Sequence, residues 1–268
     1  MELGWTGPNL TVTTACASGT DAIGLATRHI QSGELDLALA GGSDAGGITE
    51  EMMASFGTAG ALSCRNEDPA AACRPFDAAR DGYVMGEGAA YLVLERLTRA
   101  QERGATVHGI VVGYATGCDA YHMTAPYPGG LRSSRVMREA IADAGLTAAA
   151  IKQVNCHATA TIAGDTAEAA GLRAVFGERQ PPVTASKGVF GHLTGAAGAA
   201  EAVVAVLSAG LGVVPPTAGH DQLAADCAGL DVVTGGPRHI GPGPVLSNSF
   251  GMGGQDASVV ILPAPRAT

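Results

Sequence analysis

Cys16 lies where a strand pattern changes into a helix pattern. Residues 11–14 are mostly β-branched, small residues surround Cys16, and an apolar helical run follows from Ala22. This order places Cys16 at or just before a helix N-terminus, where unpaired amides and the helix dipole favour a thiolate. A thiolate is the nucleophile that acyl transfer requires. Taken alone, the pattern is equally typical of a small cysteine buried in a core.

Two histidines stand at the ends of predicted elements. His157 follows a strand pattern and precedes Thr159 and Thr161. It could serve as a base beside hydroxyls that bind a polar ligand arm, although a histidine at a strand end is more often structural. His192 stands at the start of a long apolar helix, where burial and a nearby dipole favour the neutral imidazole. A neutral imidazole can donate a hydrogen bond to a carbonyl or a carboxylate.

Lys187 and Glu201 bracket His192 in the sequence. Both residue types are rare in deep interiors unless they are paired. Considered by themselves, a solvated loop lysine and an exposed helix glutamate are the simpler interpretation.

A glycine-rich turn, residues 251–254, separates two apolar strand patterns near the end of the sequence. Its backbone amides could point at a developing oxyanion, as acyl-transfer enzymes need. A tight hairpin explains the same glycines. The turn is not a phosphate loop, because neither GxxxxGK[ST] nor a GxGxxG that opens a helix is present there.

The elements that must position these residues alternate between strand and helix patterns, which is typical of an α/β protein with buried sheets. The segment 134–144 predicts a helix with one buried face, and 196–211 predicts a helix buried nearly all round. A soft boundary near residues 103–104 suggests two halves without a linker. Strands are predicted near 9–14, 36–42, 89–95, 107–116, 151–156, 181–185, 231–234, 244–248 and 256–262.

Composition restricts the partners and the compartment. The 268 residues carry a net charge of −9, which argues against nucleic acid and anionic membrane surfaces. Six cysteines without a CxxC pair suggest neither a zinc site nor a disulfide framework, so the reducing cytoplasm fits best. The sequence has no signal peptide pattern and no run of 18 apolar residues, so we expect a soluble protein.

Taken in order, the four motifs resemble the elongating β-ketoacyl-acyl carrier protein synthases of types I and II, condensing enzymes of the thiolase superfamily. The stretches AGGSDAGGITEEMMASFGTAGALS, RPFDAARDGYVMGEGAAYLVLE, GYATGCDAYHMTAPYPGG and GVVPPTAG resemble that family as well. The resemblance implies a thiolase-like fold of two related halves with buried mixed sheets and central helices. Residues 1–104 would be the remainder of an incomplete N-terminal half with the nucleophile, and 105–268 the half with both histidines.

The resemblance also implies roles for the site residues. Cys16 would accept the acyl group, while His157 and His192 would polarise the malonyl thioester and assist its decarboxylation. The backbone amides of Cys16 and Met252 would form the oxyanion hole. Lys187 and Glu201 would support the second histidine. Residues that would contact the phosphopantetheine arm are Thr124, Thr159 and Thr161, and those that would line the site are Phe56 and Phe250.

The details of the motifs favour an elongating subclass. Starter-type synthases resemble Cys-His-Asn enzymes, and degradative thiolases use a second cysteine in the last glycine-rich loop, which this sequence lacks. Chain-length-factor subunits lack the nucleophile. The expected partners are an acyl carrier protein, which delivers the phosphopantetheine arm, and a second synthase subunit, identical or paralogous. No metal and no cofactor of the chain's own are expected.

The sequence also departs from the family pattern. Relatives carry roughly another third of their chain before the cysteine, so a large apolar surface is expected to be uncovered. An alternative function is therefore a non-catalytic thiolase-fold subunit, or a truncated remnant, that pairs with a complete partner. At single positions, Met252 replaces an aromatic gate residue, Asp256 an asparagine, Ala158 a glycine, and Gly60 the arginine of some relatives.

Overall fold

The computed structural model describes residues 2–45 and 49–265. Helices and strands alternate through this part of the chain. The helices are α1 (Ser18–Gln31), α2 (Glu50–Thr58), α3 (Leu97–Glu102), α4 (Leu131–Asp143), α5 (Ile162–Phe176), α6 (Lys187–Phe190) and α7 (Ala197–Leu211). The strands are β1 (Leu37–Asp44), β2 (Gly88–Glu95), β3 (Gly109–Cys118), β4 (Gln153–Asn155), β5 (Pro182–Thr184), β6 (Val213–Val214), β7 (Asp231–Val232), β8 (Arg238–His239), β9 (Val245–Gly251) and β10 (Gln255–Pro263).

A six-stranded mixed sheet is the centre of the fold. Its strand order is β3-β10-β9-β4-β5-β7. The β3, β10 and β9 strands are antiparallel, and β9, β4, β5 and β7 are parallel. Parallel strands need crossover helices on the faces of the sheet, and helices α5, α6 and α7 lie between these strands in the sequence. Functional residues at the ends of these strands are therefore brought to common edges.

Helices cover both faces of the central sheet. Because side chains alternate along β10, Val259 and Ile261 face α1 and α7, while Val260 faces α4 and α5. The α1 and α7 helices approach each other closely, since a Cβ atom on Gly198 would lie 2.1 Å from the Thr20 hydroxyl oxygen. This contact fixes α1, which begins just after Cys16, against the helix that follows His192.

The smaller sheet is covered on one face only. Strands β1 and β2 pair antiparallel, and their Ala40, Leu92 and Leu94 side chains pack with α1 and α7. The other face exposes the cross-strand neighbours Leu39 and Val93.

Most predicted strands form within a few residues of the predicted bounds, but residues 9–14 do not form one. A strand needs a neighbour for its backbone amides, and no described strand pairs with this segment. Strands β6 and β8 were missed because two residues are too short to show periodicity. The predicted amphipathic helix is confirmed as α4, which begins three residues earlier, at Leu131.

The α7 helix is buried less completely than predicted. Its alanine-rich face is buried, but Leu207 is 52% exposed and Leu211 is 70% exposed. Among the described residues, only Thr194–Leu211 is long and apolar enough to cross a membrane, and 56% of that stretch is buried inside the protein. Such partial burial is typical of a core helix.

Candidate active site

Cys16 lies in a single 3-10 turn, Ala15–Ala17, directly before α1. The Ser18 hydroxyl holds this turn, because it accepts from the Thr14 amide at 2.9 Å and donates to the Ala15 carbonyl at 2.7 Å. The Thr14 hydroxyl donates to Asp21 at 2.6 Å. Cys16 is partly exposed and lines a cavity, through which a substrate can approach it. The sequence predicted this position before a helix correctly.

The two histidines of the motifs meet at Cys16. The Nε2 atom of His192 lies 3.0 Å from the Cys16 sulfur. The His157 and His192 rings contact edge to face, with centroids 5.4 Å apart. One ring nitrogen of each histidine and the sulfur all lie within 4.8 Å of one another. The fold thus assembles one sulfur and two imidazoles from three separate parts of the sequence.

Neighbouring backbone fixes both imidazoles. His157 follows β4, and His192 follows α6. The His192 amide donates to the Val84 carbonyl at 2.8 Å, and the His192 carbonyl accepts from the Gly86 amide at 2.9 Å. Residues 84–86 therefore position His192 like a neighbouring strand.

Burial keeps both imidazoles neutral. It lowers the pKa of His157 and of His192 well below the usual value, and the positive charge of Lys187 lowers both further. This agrees with the neutral His192 that the sequence predicts. Since the Lys187 Nζ atom lies 3.3 Å from His157 Nδ1 and can only donate, Nδ1 accepts and Nε2 carries the proton. His157 is therefore a hydrogen-bond donor.

The pKa of the Cys16 thiol differs from what the sequence predicts. Desolvation is the largest effect on Cys16 and raises its pKa, although Lys187 and the backbone amides of Met252 and Cys16 act in the opposite direction. The backbone amides act in the direction expected for a helix N-terminus, but burial, which that expectation left out, has the larger effect. The resting group is a thiol next to His192.

Lys187 and Glu201 form a fully buried ion pair with a distance of 2.5 Å between Nζ and Oε1. The interpretation of these two residues as solvated side chains was therefore wrong. Burial, which Lys187 offsets only in part, raises the pKa of Glu201 to about 7. The pair places a cation 3.3 Å from His157 without leaving its charge unbalanced.

The glycine-rich turn between β9 and β10 lies against Cys16. The backbone amides of Met252 and Cys16 lie near the sulfur, and both lower its pKa. A Cβ atom on Gly251 would lie 3.2 Å from the Cys16 nitrogen and 3.0 Å from the Thr14 oxygen, so glycine permits this close approach. Amides beside a nucleophile are the kind of donor from which an oxyanion hole is built, so the predicted role of Cys16 and Met252 stays a prediction.

A cavity of about 240 Å³ opens onto these groups. Of the five predicted substrate-binding residues, four line it: Thr124, Thr159, Thr161 and Phe250. Phe56 does not line the cavity. It lies on α2 and packs edge-on against Tyr83, with centroids 6.0 Å apart, and Tyr83 in turn packs against His192. Thr161 also caps α5, because its hydroxyl accepts from the Gly164 amide at 3.2 Å.

Sequence analysis missed Glu168 on α5. Its carboxylate accepts from the His157 amide at 2.9 Å, from the Ala158 amide at 2.7 Å and from Asn248 Nδ2 at 3.2 Å. Glu168 thus fixes the backbone that carries His157. The sequence did offer one signal, a second acidic residue, Asp165, one helical turn before Glu168. Asp165 is also fully buried, and it accepts from the Ala160 amide at 3.0 Å.

Glu168→Gln is expected to destabilise the protein by about 1–3 kcal/mol, since one amide donor would lose its acceptor and face an NH₂ group. The resulting shift of His157 should also slow the acyl transfer that the resemblance implies. Urea unfolding measures the first effect. Glu102→Gln, on an exposed part of α3, is the matched control. Equal urea midpoints for the two variants would show that Glu168 does not hold this loop.

Comparison with known proteins identifies two matching family models. The N-terminal domain of β-ketoacyl synthases matches residues 1–100, and the C-terminal domain matches residues 108–221. Together they match most of the chain, in the order expected for one protein.

Curated relatives match nearly the whole chain. A Synechocystis protein named 3-oxoacyl-[acyl-carrier-protein] synthase 2 is 42% identical over 97% of this chain and 62% of its own length. The chloroplastic synthase II of Arabidopsis thaliana is 43% identical over 98% of this chain and 49% of its own length. The chain thus spans about half to three-fifths of these relatives.

Solved structures agree in fold. The ishigamide ketosynthase/chain length factor has a TM-score of 0.89 at 39% identity, and it matches 96% of this chain and 61% of its own. A β-ketoacyl synthase from Burkholderia phymatum has a TM-score of 0.90 at 40% identity, and it matches 95% of this chain and 61% of its own. A type II ketosynthase in complex with its acyl-carrier protein has a TM-score of 0.91 at 33% identity, and it matches 95% of this chain and 62% of its own. The predicted thiolase-like fold is confirmed, and the chain covers part of it.

Proposed function

Since this chain belongs to the β-ketoacyl synthase family, we propose that it acts as a β-ketoacyl-acyl carrier protein synthase in fatty-acid or type II polyketide biosynthesis. The reaction would transfer an acyl group to Cys16 and condense it with malonyl-carrier protein. The observation that carries this proposal is the 3.0 Å contact between the Cys16 sulfur and His192, with two backbone amides at the same sulfur.

In the first step, the Cys16 sulfur attacks the thioester carbon of the acyl-carrier protein. The thiol proton leaves as the new carbon–sulfur bond forms, with His192 Nε2 as the nearest acceptor at 3.0 Å. The tetrahedral oxyanion would be bound by the amides of Cys16 and Met252. When it collapses, the bond to the carrier's phosphopantetheine sulfur breaks, and that sulfur takes up the proton.

In the second step, the malonyl thioester enters the same cavity. With Cys16 acylated, His192 Nε2 no longer accepts from a thiol, and as the Nε2–H tautomer it would donate a hydrogen bond to the malonyl carbonyl oxygen together with His157 Nε2. These hydrogen bonds favour loss of carbon dioxide because the enolate charge develops on that oxygen. The enolate carbon then attacks the Cys16 thioester, the carbon–sulfur bond to Cys16 breaks, and the sulfur that leaves as a thiolate takes up a proton from solvent to restore the thiol. Neutral imidazoles suit this step, and the low pKa of both histidines keeps them neutral.

The partners follow from the same chemistry. The hydroxyl-rich wall formed by Thr124, Thr159 and Thr161 suits a phosphopantetheine arm delivered by an acyl carrier protein, and the chain would need no cofactor of its own. A similar solved ketosynthase is described in complex with its acyl-carrier protein, and another as a ketosynthase/chain length factor. We include in the proposal a dimer with an identical or paralogous subunit, and a cytoplasmic location.

We also propose that residues 1–104 and 105–268 are the two halves of the protein. Strands β1 and β2 lie wholly within the first range and form their own sheet, and the six-stranded sheet lies wholly within the second, which supports this division.

Mass spectrometry tests the proposal directly. After incubation with an acyl-acyl carrier protein, or with a cerulenin-like thiol trap, an adduct is expected on the peptide that contains Cys16. The exposed thiols Cys64 and Cys118 are internal controls for non-specific labelling. An unmodified Cys16, or modification confined to Cys64 and Cys118, would contradict the proposed activity.

A second candidate is a non-catalytic subunit that pairs with a complete synthase. The exposed apolar face of the β1–β2 sheet favours it, since such a face fits against another surface. The experiment above separates the two candidates. A pairing subunit would leave Cys16 unmodified by acyl-carrier protein and would still associate with a complete synthase.

A substitution at Met252 tests how the cavity selects acyl chains. Methionine is flexible, so its side chain at the cavity wall should admit differently shaped chains. Met252→Phe is expected to lower the rate with a branched or bulky acyl chain by about tenfold relative to a short straight chain. Competition between the two acyl-carrier proteins measures this ratio. An unchanged ratio would remove Met252 as a determinant of specificity.

A further inference from the structure

Two carboxyl groups in the cavity wall have no part in the proposed reaction. Asp119 follows the last residue of β3, and Asp256 lies on β10. They are 4% and 3% exposed. Their carboxyl groups lie close enough to interact, since the charge of Asp119 raises the pKa of Asp256. Asp119 Oδ1 and Asp256 Oδ2 are both buried, and neither accepts a hydrogen bond from the described part of the chain.

A shared proton accounts for this arrangement. Two carboxylates without a proton would repel each other, and each would also keep a buried oxygen without a donor, which is costly. One proton turns the contact into an acid–carboxylate hydrogen bond, as in other buried carboxyl pairs. The contact requires it, since no described backbone amide or cation donates to these two oxygens.

The pair lies where two segments of the cavity meet. We name residues 119–127 the mouth segment and residues 251–254 the Met252 turn. The Asp119 amide donates to the Gly254 carbonyl at 2.7 Å, and the Gly253 amide donates to the Met123 carbonyl at 2.8 Å. Asp119 Oδ2 also accepts from the Tyr127 amide at 2.7 Å. Asp119, at the start of the mouth segment, thus contacts both the turn and the end of the mouth segment at Tyr127.

We propose that Asp119 and Asp256 share one proton, and that this proton holds the Met252 turn against the mouth segment with the Met252 amide directed at Cys16. Loss of the proton leaves two like charges in contact and separates the segments. The two aspartates are then positioning residues for the oxyanion hole. The effect on catalysis rests on the proposed function, whereas the proton-dependent closure of the two segments does not.

The surroundings of the pair place its proton loss at alkaline pH. Burial raises the pKa of Asp256 most, and the charges of Asp119, beyond β3, and of Glu168, on α5, add to this, so that the pKa lies at about 8. Across the cavity lie Cys16 and His157, and α4 contributes the uncharged Ser133. Because the pKa is raised, the shared proton is present at neutral pH and is lost as the pH rises through about 8.

Hydrogen exchange of the wild-type chain and of Asp256→Asn tests this closure without any substrate. Asparagine is neutral at every pH and can donate to Asp119. After correction for intrinsic rates, wild-type exchange in the mouth segment and the Met252 turn is expected to rise about tenfold between about pH 6.5 and about pH 9. The variant should change by less than about twofold.

Controls separate the pair from a general charge effect. Asp36→Asn removes one charge from an exposed ion pair with Arg96 and should behave like the wild-type chain. Asp119→Asn should remove the pH response just as Asp256→Asn does. The proposal would be overturned if exchange in the wild-type chain did not rise with pH. It would also be overturned if exchange rose equally in the wild-type chain and in both asparagine variants.

A second measurement connects the pair to the reaction. The ratio of the Cys16 acylation rate at about pH 9 to that at about pH 7 should be lower in the wild-type chain than in Asp256→Asn, by about tenfold. A chain that never loads acyl groups would contradict the proposed function and leave the exchange result intact. A chain that loads normally without a pH-dependent exchange difference would overturn the acid pair alone.

Discussion

Cys16→Ala is expected to abolish condensation and to leave decarboxylation of the malonyl thioester in place. The acyl group has no other thiol to occupy in the cavity, because Cys16 is the one cysteine among its lining residues. Loss of a nucleophile costs about 10³–10⁶ in rate in other acyl-transfer enzymes. Decarboxylation depends on His157 and His192, which the substitution leaves intact.

Carbon dioxide release and β-ketoacyl product, measured in one reaction with malonyl-carrier protein, separate these two steps. Cys64→Ala, at an exposed thiol, is the matched control and should retain both. If Cys16→Ala still formed the product, the sulfur would not be the acyl acceptor.

Glu201→Gln is expected to destabilise the protein by about 3–5 kcal/mol, the range for a buried charge that loses its partner. Lys187 is fully buried, and Glu201 is the carboxylate that pairs with it at 2.5 Å. The free energy of unfolding from urea titration measures the loss. Acylation should also slow, because a displaced Lys187 no longer hydrogen-bonds His157 Nδ1.

The double variant Lys187→Met with Glu201→Leu distinguishes charge from packing. It removes both charges from the interior and should regain most of the lost stability. On the surface of α4, Glu139→Gln breaks the pair with Arg135 and should cost only about 0.3–0.5 kcal/mol. If Glu201→Gln unfolds at the wild-type urea concentration, the buried pair does not carry the expected charge.

Sequence patterns were sufficient to find the groups that meet at the cavity. Cys16, His157 and His192 each lie at the boundary of an element, and such boundaries can be predicted from periodicity and from small residues. Their order along the chain gave the resemblance, which the family models and the solved structures support. The roles of these side chains in the reaction remain predictions.

What the sequence could not provide is burial and the pairing of distant side chains. Glu168 looks like an ordinary helix glutamate, and its importance comes from two amides in another segment. The raised pKa of Cys16 depends on atoms packed around its sulfur. The predicted strand at 9–14 has the right composition, but a strand also requires a neighbour, and composition does not supply one.

The two amides at the Cys16 sulfur come from turns at opposite ends of the described sequence, one before α1 and the other between β9 and β10. Their convergence therefore exists only while the turn before α1 and the turn between β9 and β10 are both docked on the same core. Local opening of either turn by heat or denaturant would disable the proposed acyl loading before the interior of the sheet melts. Reactivity of this one thiol should thus act as an early indicator of partial unfolding.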